Sequence, residues 1–198
     1  MKKIILICLM AMFVCKLSAQ TNEVDSMVNV LNNNKELTSD EKLSLYDKIC
    51  NQYKRNDLKK LIFYAEKGME LAVKEKDKFK IGHFNKHLGD AYVFKGIYDT
   101  SFIHYQKYLD ISIELKDEEN EALAYGSIGN IYLRQNKRIE ALEYYLKALP
   151  ILEKLNKKTH CAVTLGNIAQ IYRGMDNYDR AMYYAEKASV IAEEQKDP

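Results

Sequence analysis

"GSIGNIYLRQNKRIEALEYYLKAL" occupies residues 126–149, and residues 86–109 read "KHLGDAYVFKGIYDTSFIHYQKYL". Glycine, tyrosine and lysine recur at matching places forty residues apart. Extending the same step through the chain produces columns. Leu88, Ile128 and Ile168 align, followed by the small residues Gly89, Gly129 and Ala169, then Tyr92, Tyr132 and Tyr172. A second set aligns Tyr64, His104, Tyr144 and Tyr184, and a third aligns Lys67, Lys107, Lys147 and Lys187. Four copies begin near residues 42, 82, 122 and 162. The first is the weakest match, and a one-residue slip is needed to place Cys50 in the small column and Tyr53 in the tyrosine column.

Inside each copy the apolar residues follow a helical period. Tyr125, Ile128, Ile131 and Tyr132 share one face, and Ile139, Leu142, Tyr145, Leu146, Leu149 and Leu152 mark a second helix. Turn-prone pieces ("FKGIYD", "RQNK", "GMDNYD") separate the halves, and charged pieces ("KEKDK", "LKDEEN", "EKLNKKT") separate the copies. Each unit therefore reads as two antiparallel helices. One helix pair leaves an apolar flank bare, so neighbouring pairs must stack to cover it. The small columns predict close approach of helix backbones, with tyrosines filling the space alongside. The lysine column predicts a solvated face.

The stretch "IGNIYLRQNKRIEALEYYLKAL" closely resembles the tetratricopeptide repeat (TPR), through Ile128, Gly129, Tyr132, Ala141, Tyr145 and Ala148. The fourth copy carries the pattern in Ile168, Ala169, Tyr172, Tyr178, Ala181 and Ala188; the second has Ser101 and Tyr108 where alanines are usual. The resemblance covers residues 42–197 and implies an all-α fold, a right-handed α-solenoid of antiparallel helix pairs. The family period is about 34 residues. The six additional residues here are expected around the end of the second helix, as in a longer-helix branch of the family.

The ends of the sequence set further expectations. Lys2 and Lys3 precede the apolar run "IILICLMAMFVC", and "KLSAQT" follows, so residues 1–19 read as a signal peptide. The run is too short for a bilayer, which needs about 20 apolar residues. Residues 20–41 read as an N-terminal packing helix (22–33) and linker, with "TSDE", Thr38 to Glu41, as a capping box opening the TPR domain of residues 42–198. Because "EEQKDP" directly follows a second helix, with no polar capping helix after it, the chain is expected to be part of a longer protein.

Removing three signal-peptide lysines takes 30 basic residues to 27 against 28 acidic ones, so the exported chain is near −1 rather than +2. That balance offers no surplus for phosphates and argues against nucleic-acid binding. Cys8 and Cys15 leave with the signal. Cys50 and Cys161 lie six helix steps apart at about 8–10 Å each, beyond the reach of about 7 Å between Cα atoms for a disulfide. Two free, buried thiols are expected.

Function is expected to lie in the groove that the first helices line, a role implied by the TPR resemblance. The implied groove positions are His83, Lys86, Asp90 and Val93 in copy two, Leu123, Gly126, Asn130 and Leu133 in copy three, and Val163, Gly166, Gln170 and Arg173 in copy four. Asn130 and Gln170 are suited to bonding an extended peptide backbone, and Lys86 and Arg173 to meeting carboxylates. The family's lysine–asparagine carboxylate clamp is not reproduced, since Asp90 stands where its asparagine would be. His83, His87 and Asp90, at i, i+4 and i+7, form a weak zinc candidate that lacks the usual glutamate beside the first histidine. No phosphate loop, nucleophile elbow or catalytic carboxylate pair is present, and no cofactor is expected.

The expected role is a non-catalytic, exported scaffold, periplasmic or extracellular, that binds a protein or peptide. The alternative is the extracytoplasmic sensor region of a membrane-anchored regulator such as a histidine kinase or a DNA-binding regulator. In that case a transmembrane segment would follow downstream.

Overall fold

A computed structural model describes residues 23–54 and 56–194. Helix α1 spans residues 23–33 and contributes the buried Val24. Eight helices follow: α2 (Ser39–Tyr53), α3 (Leu58–Lys74), α4 (Lys78–Phe94), α5 (Tyr98–Glu114), α6 (Glu118–Arg134), α7 (Arg138–Lys154), α8 (Lys158–Gly174) and α9 (Tyr178–Glu194). The proposed signal peptide lies outside the described residues.

From α3 onward every helix has 17 residues. Three-residue links join them, so two helices and two links make up the forty-residue period. Both helices of a pair share the extra length, which is not confined to the end of the second as expected. The first helices also begin four residues before the copy starts read from the columns, at Lys78, Glu118 and Lys158. The charged separators supply those first turns, where Asp77 and Asp117 cap the free backbone N–H groups of α4 and α6.

Six helices end in the same way. Lys76, Gly96, Lys116, Asn136, Asn156 and Asp176 all have positive φ. The next residue donates its N–H back into the helix, as in Asp77 N–H to the Ala72 carbonyl (2.9 Å) and Lys137 N–H to that of Tyr132 (2.9 Å). This is the Schellman ending. A chain that leaves one helix through it enters the next antiparallel helix at once. Thr38 caps α2 as expected: its hydroxyl accepts the Glu41 N–H, and the Glu41 carboxylate accepts the Thr38 N–H at 2.8 Å.

From α2 onward each helix packs on its neighbours in sequence, and α2 also touches α4. Three buried clusters each join a pair to the first helix of the next, and a fourth joins α7 to both α8 and α9. One unites Leu43 and Cys50 of α2, Leu61 and Ala65 of α3, and Phe84, Leu88 and Ala91 of α4. The next unites Val93, Tyr105, Tyr108, Leu109, Ala124, Ile128 and Ile131. The bare flank of one pair is thus the seat of the following helix, which is why the units stack.

The tyrosine columns form one ring stack per pair. Tyr53–Tyr64, Tyr92–His104, Tyr132–Tyr144 and Tyr172–Tyr184 have centroids 5.9, 5.5, 5.5 and 5.5 Å apart. Lys60, Lys95, Lys137 and Arg180 lie over the first-helix rings. The start of each first helix is also tied to the end of its partner, 36 residues on, by Ser39–Glu75, Lys78–Glu114, Glu118–Lys154 and Lys158–Glu194. The charge order reverses in the third pair, so the tie is kept while its residues vary. Cys50 and Cys161 are free and buried.

The small columns differ in detail from expectation. The space over Gly89 is filled by the Tyr105 ring, and that over Gly129 by the Tyr145 ring, rather than by a second backbone. A Cβ on Gly89 would stand 2.8 Å from Tyr105, and one on Gly129 would stand 3.0 Å from Tyr145. Each tyrosine crosses the glycine and donates its hydroxyl to the following residue, Tyr105 to Asp90 (2.6 Å) and Tyr145 to Asn130 (2.6 Å). Burial pushes both phenols well above their ordinary pKa, with the Asp90 charge adding to the effect at Tyr105.

Candidate functional site

The first helices α4, α6 and α8 carry the groove positions, and the structure divides those positions into two groups. In α4 they are largely consumed by packing. Asp90 is 8% exposed, accepts the Tyr105 hydroxyl and pairs with Lys54 at 2.7 Å. Asp90, expected in the groove, is instead a buried structural carboxylate between pairs. Lys86 is half-buried. In α6 only one of the four positions is exposed, whereas in α8 all four are. Asn130, Gln170 and Arg173 are exposed, with the Asn130 side-chain oxygen held by Tyr145.

The zinc candidate does not assemble. His87 is 2% exposed, and its Nε2 meets Asp47 Oδ1 of α2 at 2.6 Å. His83 Nδ1 lies 3.8 Å from the same oxygen, and Lys80 is 3.7 Å from the other. Asp90 faces away toward Lys54 and Tyr105, although helical spacing places it on the same stripe. Among the described residues no group of three or more metal-ligating side chains converges. The histidines instead form a seam between the first two pairs. Burial opposes ionisation of Asp47, but hydrogen bonds and charge from His83 and His87 prevail and hold its carboxyl well below the usual carboxylate range.

Asp47→Ala is expected to lower stability by about 1–2 kcal/mol at pH 7, because a buried imidazole loses its acceptor. A depressed carboxyl pKa contributes stability above the unfolded value of about 3.9, and that stability is lost as pH falls through the folded value. Urea unfolding at pH 7 and at about pH 3 should show the difference between wild type and variant shrinking in acid.

An open cleft lies on the last pair. It measures about 890 Å³ and runs between α8 and α9, lined by Val163, Gly166, Gln170, Arg173, Met182, Ala185 and neighbouring small residues. Its origin is legible in the columns. Tyr145, Leu149 and Leu152 of α7 are replaced in α9 by Ala185, Ser189 and Ala192. In the preceding pair those large side chains are buried, in contact with α8. Here the ring that should cross the small residue is missing, and Val163 and Met182 are left 59% and 62% exposed. A smaller polar cavity of about 300 Å³ adjoins it through the shared Gln170 and Arg173, with Leu133, Asn136, Arg138 and Gly174 as its other walls.

These features define a solenoid of helix hairpins with a lined face and an open last pair. The tetratricopeptide repeat profile matches residues 83–154 and 137–194, more than half of the chain, and the chain belongs to that family. No curated protein sequence matches it significantly. In three dimensions it superposes on a Rap protein complexed with competence and sporulation factor (TM-score 0.82, 17% identity), covering 94% of this chain and 53% of that one. BtubC from P. vanneervenii gives a TM-score of 0.79 at 15% identity, covering 92% and 77% of the two chains. A signal-transduction ATPase with a tetratricopeptide repeat sensor from Pyrococcus horikoshii gives 0.74 at 20% identity, covering 90% of this chain and 28% of that one. This chain thus spans about half of the Rap protein and little more than a quarter of the ATPase. Likeness at such identities shows the shared fold.

Proposed function

We propose that this chain is a non-catalytic, exported scaffold that binds a protein or peptide on the face formed by its first helices. One observation carries the reading. Packing buries Asn85, His87 and Asp90 of α4, whereas α6 presents Asn130 exposed and α8 presents Gln170 and Arg173 in the lining of the α8–α9 cleft. Amides beside an apolar cleft can bond a peptide backbone while the cleft takes its side chains. The Rap protein, of the same fold, is complexed with competence and sporulation factor, which supports a peptide-binding use of this architecture. Export rests on Lys2, Lys3 and the apolar run that follows them.

Peptides selected from a displayed random library against the exported chain provide the test. Val163→Asp places a charge in the cleft and is expected to weaken the selected peptides by about tenfold or more, since an unpaired buried charge is costly. Ile103→Ser, at a 54% exposed site on the second helix α5, should leave binding unchanged. Equal losses for both variants would overturn the proposed face.

A second reading, the sensor region of a membrane-anchored regulator, draws support from the fold shared with the Pyrococcus horikoshii sensor. An apolar run of about 20 residues encoded downstream would favour it; an uninterrupted polar continuation would count against it.

A further inference from the structure

The corner where the third pair meets the fourth carries two cations that form no ion pair among the described residues. Arg138, in the first turn of α7, and Arg173, in the last turn of α8, line the same cavity of about 300 Å³. The ion pairs among the described residues use Lys54, Lys67, Lys78, Lys80, Lys154, Lys157 and Lys158, and neither arginine takes part. The nearby Asp176 accepts the Tyr178 hydroxyl at 2.9 Å.

The seat of Arg138 is built by a glycine. A Cβ on Gly174 would lie 2.7 Å from Arg138 Nε and 3.3 Å from its Cζ, so the guanidinium rests directly on the last residue of α8. The carbonyl end of α8 favours a cation there and offsets part of the repulsion between the two arginines. What remains favours an anion in the cavity, where a planar carboxylate can meet both guanidiniums. Gln170 adds an amide donor at the same wall.

Neither of the two earlier junctions repeats this arrangement. One period earlier the positions of Arg138 and Arg173 are Tyr98 and Leu133, and two periods earlier they are Leu58 and Val93. The cavity shares Gln170 and Arg173 with the apolar cleft, so a single ligand can occupy both. The face of α7 equivalent to that cleft, one pair earlier, packs against α8 with its alanine, tyrosine and leucine buried, so its natural complement is a helical or extended segment rich in apolar side chains.

Resting on the groove reading above, we propose that this corner is a carboxylate subsite. It takes an acidic side chain of a bound peptide whose neighbouring apolar residues fill the α8–α9 cleft. Charge complementarity at one junction then sets the register in which the peptide lies.

Two synthetic pools of twelve-residue peptides test this, both N-acetylated and C-amidated, with flanking positions drawn from Leu, Met, Ala, Ser and Lys. One pool fixes glutamate at a central position and the other fixes glutamine. Binding is read by fluorescence anisotropy and by shifts of the Arg138, Gln170, Arg173 and Gly174 amides. The glutamate pool should bind about tenfold tighter, the effect of one charge-assisted pair. Arg138→Gln, outside the cleft lining, should remove most of that preference while leaving glutamine-pool binding unchanged; Arg173→Gln, which also lines the cleft, should weaken the glutamate pool more than the glutamine pool. Gly174→Ala, which pushes Arg138 off its seat, should weaken it in part. Equal binding of the two pools, or a preference that survives both arginine variants, overturns the subsite and leaves the groove reading intact. Binding of neither pool overturns both. Displacement of the glutamate pool by inorganic phosphate but not by acetate, at matched ionic strength, would replace the carboxylate with a phosphate.

Discussion

Phe84→Ala is expected to lower the unfolding free energy by about 3–5 kcal/mol, the range for a fully buried phenylalanine. The Phe84 ring is completely buried and belongs to the cluster that joins the first pair to α4. It lies against Gly68 in the middle of α3, where a Cβ would stand 2.3 Å from both Cε1 and Cζ of the ring. Gly68→Ala should therefore cost about 1–3 kcal/mol by overpacking, although alanine is the better helix former by about 0.8–1.0 kcal/mol. In the Phe84→Ala background the clash disappears and only the propensity gain remains. The same Gly68→Ala change should then be neutral or stabilising. Urea unfolding of the two single variants and the double variant checks the sign reversal; additive effects would mean that ring and glycine do not meet.

Gly129→Leu should destabilise by about 1–3 kcal/mol or more through the same kind of overpacking. The added side chain would enter the space of Tyr145, whose ring is 3.0 Å from a Cβ at that site. Tyr145 is 1% exposed and anchored by its hydroxyl to Asn130, so it has little room to retreat. The loss should also disturb Asn130, linking this packing contact to the proposed binding face. Lys147→Ala is the comparison. The lysine column is solvated as expected, yet Lys147 Nζ lies 5.0 Å from the Tyr144 centroid and 5.9 Å from that of Tyr125. Its loss should cost about 0.5–1 kcal/mol, the scale of an exposed cation–π contact. Thermal unfolding of both variants should rank them in that order, and equal small shifts would contradict the Gly129–Tyr145 contact.

The groove positions show where reading by spacing stops. Asp90, Asn130 and Gln170 occupy equivalent places, and helical periodicity alone makes them interchangeable. Asp90 is removed from the groove by Lys54, at the end of α2, a residue thirty-six positions away that no column signals. His87 finds Asp47 forty positions earlier, and only the crossing of α4 over α2 brings those atoms together. The cleft on the last pair did leave a trace, the change from Tyr145, Leu149 and Leu152 to Ala185, Ser189 and Ala192. It passes unnoticed when small residues are read only as packing.

Turns followed the same division. Gly96 and Asn136 were visible as turn formers, but Lys76 and Lys116 adopt the same left-handed conformation without a compositional cue. The backbone hydrogen bonds that end each helix, together with the packing of the next, hold a lysine where a glycine would be the local preference.

The amino-acid sequence by itself determined the helix pairs, their forty-residue repetition and the need to stack, because period and burial are properties of single helices and leave their mark every three or four residues. Only the tertiary structure decided which ring covers which glycine, which acid is spent between pairs, and that Arg138 and Arg173 share one cavity across two pairs. Those outcomes depend on how two helices cross, a relation between side chains far apart in the chain that no local spacing records.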